Sequence, residues 1–461
     1  MKVPALIYAS ESTLVEDESV RQLKNAATLD AGSVVLATPD IHSGFGVPIG
    51  CVFASKQMIS PCAVGYDINC GMRLLTTPFQ REQVDVKRLA HSLSRDIPLG
   101  EGKHNVTASK AVFEAVLARG MSAVPEVVRQ HQRLAAAFDQ GEFARDLECA
   151  EDSGSMDGDP DAVSRHAKER GGDQLGTLGG GNHFIEIQLV EAVYDAVVAA
   201  AFGLRAGQVV VMIHSGSRGL GHQVGGDYMN AAREWNEQHG IALPDRELAW
   251  FAAEAPEARR FIGAMNAAAN FAFVNRHLMA LFVRKNIRAE YGEDTPLPCV
   301  YDVPHNIVKR ERHGADEYFV HRKGATRAFS AAQMRGTRFA QTGQPILIPG
   351  SMGTASYVLA GIPSGAESLF SVNHGAGRTM SRTAASGTGR YGKRTGRDAA
   401  ISDEEFKRSM EGVHLICEDF RSIKEEAPGA YKDIDDIIAV VAGAGLAKMV
   451  ARMKPLAVLK G

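Results

Sequence analysis

The chain lacks any long apolar run. Its longest uncharged apolar stretch, Ile437 to Ala447, has 11 residues and contains two glycines, well short of the roughly 20 that a membrane-crossing helix needs. No membrane partner is expected. The opening MKVPALIYASES carries neither the basic head nor the apolar core of a secretory signal, so the expected location is cytoplasmic. Cysteine is sparse, with six residues at irregular spacing, 51, 62, 70, 149, 299 and 417. That pattern argues against a disulfide framework and leaves any special cysteine as a ligand or nucleophile. An excess of one charge is also missing, because 51 basic residues face 54 acidic ones for a net −3. A polybasic coat is excluded, and any nucleic-acid site must be patterned locally. No GxxxxGK[ST] loop occurs, so a P-loop nucleotidase has no support. A lysine-nucleophile ligase motif is absent as well, and no internal repeat is found.

What the chain has in quantity is glycine, 47 of 461 residues, together with 15 histidines and 45% apolar residues. The apolar content supplies an extensive core and excludes disorder as the main state. Three stretches read as helices: Ala108 to Asp139, Pro244 to Glu290, and Ser402 to Glu425, the last with Ser402 and Glu405 at capping-box spacing. Short β-rich runs lie between them at Ser33–Thr38, Val209–Ile213, Pro298–Val303, Pro345–Pro349, Leu369–Asn373 and Leu456–Lys460, and most end in Gly, His, Asp or Ser. Helices and strands do not alternate, so the expected fold is α+β, one large mixed-sheet domain over 1–461 with long flanking helices. Two polar segments, 151–174 and 386–397, read as surface loops. The second carries Arg390, Lys393, Arg394 and Arg397 without an acid.

Four segments each place a metal-type ligand in a glycine-containing turn, TPDIHSGFGVPIG (38–50), VGYDINCGMR (64–73), GTLGGGNHFIEIQ (176–188) and IHSGSRGLGHQ (213–223), and a fifth, DVPHNIVKRE (302–311), places one after a Val-Pro step. Asp67 and Cys70 are three apart in one turn, close enough to share a centre. His183, His214 and His305 sit at or just after apolar runs, where a rigid strand can aim an imidazole. One thiolate, one carboxylate and three imidazoles suit a soft-to-borderline transition metal, and a thiolate can bridge two ions. Asp40 and His42 read as a turn with supporting hydrogen bonds rather than as ligands. A second constellation, SVNHGAGRTMSR (371–382), sets His374 before a Gly-Ala-Gly turn with Arg378 and Arg382 behind it. Backbone N–H groups and guanidiniums suit a phosphate, and a neutral imidazole can attack phosphorus. GSMGTASY (350–357) and HRKGATR (321–327) add small-residue and basic turns. On residues alone two other classes stay open. A binuclear phosphodiesterase would hydrolyse without nucleotide, and a structural zinc protein would close its metal shell.

These motifs, in this order from Pro39 to the terminal Leu-Lys-Gly, resemble the RtcB family of RNA-splicing and RNA-repair ligases over nearly the whole chain. The resemblance implies an RtcB-like fold and a GTP- and Mn²⁺-dependent ligase. Its partners would be RNA ends bearing a 3′-phosphate or 2′,3′-cyclic phosphate and a 5′-hydroxyl, tRNA halves among them, with room for an archease-type activator. It further implies two Mn²⁺ ions, one on Asp67, Cys70 and His183 and the other on Cys70, His214 and His305, with His374 as the guanylylated residue. Guanine contacts would fall to Glu186, Ser356, Tyr431 and Lys460, and Asn182, Asn306, Ser351 and Arg378 would lie near phosphates or metals. Asn373 stands before the nucleophile where a smaller residue or Cys is the family expectation.

Overall fold

The computed structural model describes residues 1–387, 398–419 and 422–461. Its centre is an eight-stranded mixed sheet in the order Pro345–Ile348, Ser356–Gly361, Ala447–Lys460, Phe184–Val193, Gln208–Ser215, Gly71–Gln80 and Cys299–Pro304, with His414–Cys417 added on the long strand. The 14-residue strand Ala447–Lys460 pairs antiparallel with Ser356–Gly361 along its first half and parallel with His414–Cys417 along its second. A five-stranded sheet runs Ala5–Ile7, Val34–His42, Ile49–Ser55, Asp316–Lys323 and Asn306–His313. The two sheets are continuous in the chain at one residue, His305, which separates strand Cys299–Pro304 from strand Asn306–His313. The fold is α+β, as the pattern of helices and strands predicts.

The helices differ from the sequence expectations for identifiable reasons. The long helix spans Pro256–Tyr291 rather than starting at Pro244. Pro256 fixes the first turn and forces Ala255 into an extended conformation. The chain before it forms the two-residue strand Phe251–Ala252 against Met58–Ile59. This helix is buried on nearly all sides, in keeping with its Ala- and Phe-rich middle. The expected helix Ala108–Asp139 is broken into Lys110–Arg119, Val124–Arg129 and Gln132–Ala135. The break falls at Gly120, whose φ of +56° and tight approach to Gly154 O and the Asn270 side chain exclude any larger residue. Ser402 does cap a helix, accepting from the Glu405 N–H, but that helix ends at Ser409. The apolar residues beyond it join the large sheet as His414–Cys417. The expected strand from Leu369 begins only at Ser371, because Leu369 and Phe370 are both left-handed.

A 21-residue helix, Arg218–Gln238, was not anticipated. Segment 151–174 runs over the surface yet is anchored to the body of the protein. Glu151 is buried against Lys309, and helix Arg165–Gly171 lies against Arg218–Gln238. Most of the second expected loop, 388–397 with its four basic residues, lies outside the described residues. Among the described residues no helix is long and apolar enough to cross a membrane.

Candidate metal centre and adjoining cavity

The ligand-type residues of the five motifs gather at one end of the large sheet. Cys70 precedes strand Gly71–Gln80, His183 precedes Phe184–Val193, His214 is the penultimate residue of Gln208–Ser215, and His305 follows Cys299–Pro304. Their donor atoms converge. Cys70 Sγ lies 3.3 Å from His183 Nε2 and 3.2 Å from His214 Nε2, and the Nε2 atoms of His214 and His305 are 3.3 Å apart. Asp67 Oδ2 is 2.8 Å from His183 Nε2. Two groups result, Asp67–Cys70–His183 and Cys70–His214–His305, each with all donor atoms within 4.8 Å. Such separations match the ligand-to-ligand edges of a shell with bonds of about 2.0–2.3 Å. Cys70 belongs to both groups.

Electrostatics support a cation at this point. Burial, reinforced by the Asp67 carboxylate, pushes the Cys70 thiol well above its ordinary value, so a thiolate there requires a positive partner. Burial and the neighbouring imidazoles hold His214 and His305 well below theirs, which keeps both neutral and able to donate a lone pair. Enclosure alone would raise Asp67, but His183, Cys70 and Arg218 outweigh it and hold the carboxyl at about 2. Close backbone packing is built in. A Cβ at Gly216 would stand 2.2 Å from Asp67 Oδ1, and Gly179, at φ +103°, would place one 2.6 Å from His183 Nδ1.

His374 adjoins this centre, its ring centroid 4.9 Å from that of His305. Its Nδ1 is 2.6 Å from Asp40 Oδ2, and its backbone N–H also donates to that oxygen. Asp40 is fully buried, and Thr38 Oγ1 donates to its other oxygen at 2.6 Å. Burial would raise Asp40, yet His374 and Thr38 together keep it below the ordinary carboxylate range. With Nδ1–H committed to Asp40, the imidazole keeps its lone pair on Nε2. Asp40 therefore stays out of both ligand groups, as expected, but it serves His374 rather than a ligand.

A cavity of about 130 Å³ opens beside His374, walled by Asn182, Ser351, Arg378, Tyr431 and Lys460 among others. Lys460, Phe184 and His214 stand on one face of three adjacent strands, because Phe184 is in register with both of the others. Glu186 and Ser356 do not line this cavity. Gln188, which shares the face of Glu186 two residues along, donates to Glu186 Oε2 at 2.6 Å and to Ser356 Oγ at 3.0 Å. Burial pushes Glu186 up to about 8 despite Gln188 and Lys460. An odd offset from His183 to Glu186 would point the two to opposite faces of one strand. The difficulty disappears because His183 lies in the turn before the strand starts at Phe184. Asn306 is outside the cavity wall but beside the ligand groups, its Nδ2 donating to Asp67 O and its Oδ1 accepting from Gly324 N–H.

Sequence reasoning missed Glu426. It lines the cavity, accepts from Tyr431 OH and from Arg382 Nε at 2.8 Å, and lies 4.0 Å from Lys460 Nζ. Its own burial is outweighed by Arg382, Lys460 and Arg378, which hold it at about 2. No local signal marked it, since, Tyr431 apart, its partners Arg378, Arg382 and Lys460 come from other parts of the chain.

Two groupings of thiol, imidazole and carboxylate donors of the kind that can hold metal ions, beside a cavity walled by Arg378, Arg382 and Lys460 and an imidazole held by a buried carboxylate, mark this end of the sheet as a candidate metal site with an adjoining anion pocket. The chain belongs to the tRNA-splicing ligase RtcB family, whose model matches residues 22–461. It is 43% identical over 484 residues to the tRNA-splicing ligase RtcB of Thermococcus kodakarensis, with all of this chain and 95% of that protein covered. The proteins of the same description from Aeropyrum pernix and Methanococcus maripaludis are 40% and 37% identical, again over all of this chain and 96% and 95% of theirs.

Proposed function

We propose that this protein is a GTP- and Mn²⁺-dependent RNA ligase, acting in the cytoplasm, that joins 3′-phosphate or 2′,3′-cyclic phosphate ends to 5′-hydroxyl ends, tRNA halves included. The observation that carries this reading is the Asp40–His374 pair beside a doubly sufficient ligand cluster. Two ions on Asp67, Cys70, His183, His214 and His305 would offset the negative charge that otherwise repels a nucleophile from a triphosphate. His374 Nε2 attacks the α-phosphorus of GTP, forming a P–N bond as the bond to pyrophosphate breaks. Asp40 holds the ring and stabilises the charge that develops on it. An oxygen of the RNA 3′-phosphate then takes the guanylyl group from His374, and the 5′-hydroxyl attacks that 3′-phosphate with GMP leaving. A cyclic phosphate is hydrolysed open first. Arg378 and Arg382 supply cations for phosphates, and Glu186 and Lys460 contact guanine, the carboxylate as acceptor.

The test is incubation with α-labelled GTP and Mn²⁺, followed by denaturation. Label should stay on the wild-type chain as an acid-labile, alkali-stable adduct and be absent from His374→Ala. A chain that takes no label yet cleaves phosphodiesters without nucleotide would establish the binuclear phosphodiesterase reading instead.

A further inference from the structure

The ligand residues are carried by separate strands, and one buried side chain ties three of those strands together. Arg276, in the middle of the long helix Pro256–Tyr291, is fully buried. Its Nη1 donates to Asn69 O at 2.7 Å and to Ser215 O at 2.9 Å. Its Nη2 donates to Asn69 Oδ1 at 3.0 Å and to Asp302 Oδ1 at 2.7 Å, and its Nε reaches the same carboxylate at 3.0 Å. Asn69 immediately precedes Cys70, Ser215 immediately follows His214, and Asp302 lies three residues before His305 on the strand that ends beside it. Asn69 is itself left-handed, with φ +53°, a conformation that Asn adopts more readily than other non-glycine residues and that here gains outside support. That support is the Arg276 fork together with the bond from Asn69 Nδ2 to Ala269 O on the same helix.

We propose that Arg276 is a positioning residue of the metal centre, a planar fork that fixes the relative placement of Cys70, His214 and His305. The inference rests on reading those three residues as metal ligands. A guanidinium suits the task because its donors leave in fixed directions within one plane, so the two carbonyls and the carboxylate are held at set angles. A lysine has the charge but no fork. Asp302 keeps the buried charge paired and is also bound by Arg73 Nε at 2.8 Å, which anchors the acceptor independently of Arg276.

The probe is Co²⁺ titrated into the full chain, read by thiolate-to-cobalt charge-transfer absorption and by the visible ligand-field bands. Arg276→Lys should fold as judged by circular dichroism, bind Co²⁺ about tenfold or more weakly, as loss of a group that orients ligands typically does, and show a changed ligand-field envelope. The pair R276M/D302N removes one buried charge of each sign, leaves Arg73 its contact with Asp146 at 3.3 Å, and should show the same two defects. If either folded variant matches wild-type affinity and band positions, the assignment of Arg276 is overturned, and a fall in melting temperature alone would mark it as merely structural. Wild-type protein that gives no charge-transfer band lost in Cys70→Ala would instead sink the metal reading itself.

Discussion

At the scale of single residues, the proposed contact of Glu186 with guanine would make nucleotide choice depend on pH. Guanine offers N1–H and an amino group as two donors, and only the ionised carboxylate can accept both without presenting a competing proton. Burial raises Glu186 to about 8 from an ordinary 4.5, so below pH 8 binding of GTP must expel a proton. GTP affinity should rise about tenfold per unit from pH 6 towards 8 and then level, whereas ATP should show no such rise. Glu186→Gln should flatten the profile and erase the preference, and an unchanged GTP profile in that variant would refute the contact. The sign for stability follows from the same shift. The group stabilises the folded protein fully below about 4.5, and that contribution is lost as pH rises through 8. The free Glu186→Gln variant should therefore be the more stable protein at pH 9. For Asp40, the 2.6 Å contact with His374 Nδ1 predicts that Asp40→Asn slows labelling by GTP about tenfold or more. Its bound-metal content should be unchanged, because Asp40 belongs to neither ligand group.

Among the elements, what the sequence reveals depends on whether the signal is local. Asp67, Cys70, His183, His214 and His305 are legible because all but Asp67 stand at a strand end and all but His305 lie in a glycine-containing motif. The Asp40–His374 contact is not, since the partners are 334 residues apart and only the folded sheets bring them together. Helix Arg218–Gln238 is hidden because Gly219, Gly221, Gly225 and Gly226 dilute its periodicity, while those same glycines admit neighbours such as Arg170 O and Tyr66 against it. The polar character of 151–174 shows a surface segment but not its anchor. Lys309, on strand Asn306–His313, pairs with both Glu151 and Asp152, and Gln344 donates to Glu151. Arg327 also reaches both carboxylates at 3.4 Å, so Lys309→Met leaves them partly paired and should cost about 2 kcal/mol in chemical denaturation. A loss below about 1 kcal/mol, typical of exposed pairs, would mean that the segment is not docked through Lys309.

For the whole molecule, the location of the candidate ligands would couple metal binding to the union of the two sheets. Asp67 and Cys70 lead into the large sheet, while His305 is the single residue between its last strand and the five-stranded sheet. Backbone bonds already cross the junction, His305 N–H to Cys70 O, Asn69 N–H to Asn306 O and Ala325 N–H to His305 O, together with the Asn306 side chain and a shared apolar core. Ions shared by Cys70 and His305 would add a link across that junction that the unfolded chain cannot retain with the same affinity. Mass action then requires Mn²⁺ to raise stability, by about 2.7 kcal/mol at a hundredfold excess over Kd. The melting temperature should climb with Mn²⁺ concentration and fall back on chelation. His374→Ala should keep the full increment, since His374 lies outside both ligand groups. Cys70→Ala should lose nearly all of it, because Cys70 is common to the two groups and its loss leaves two donors in each. If Cys70→Ala shows the wild-type rise, the stabilising ions sit elsewhere on the molecule and the shared thiolate does not join the sheets.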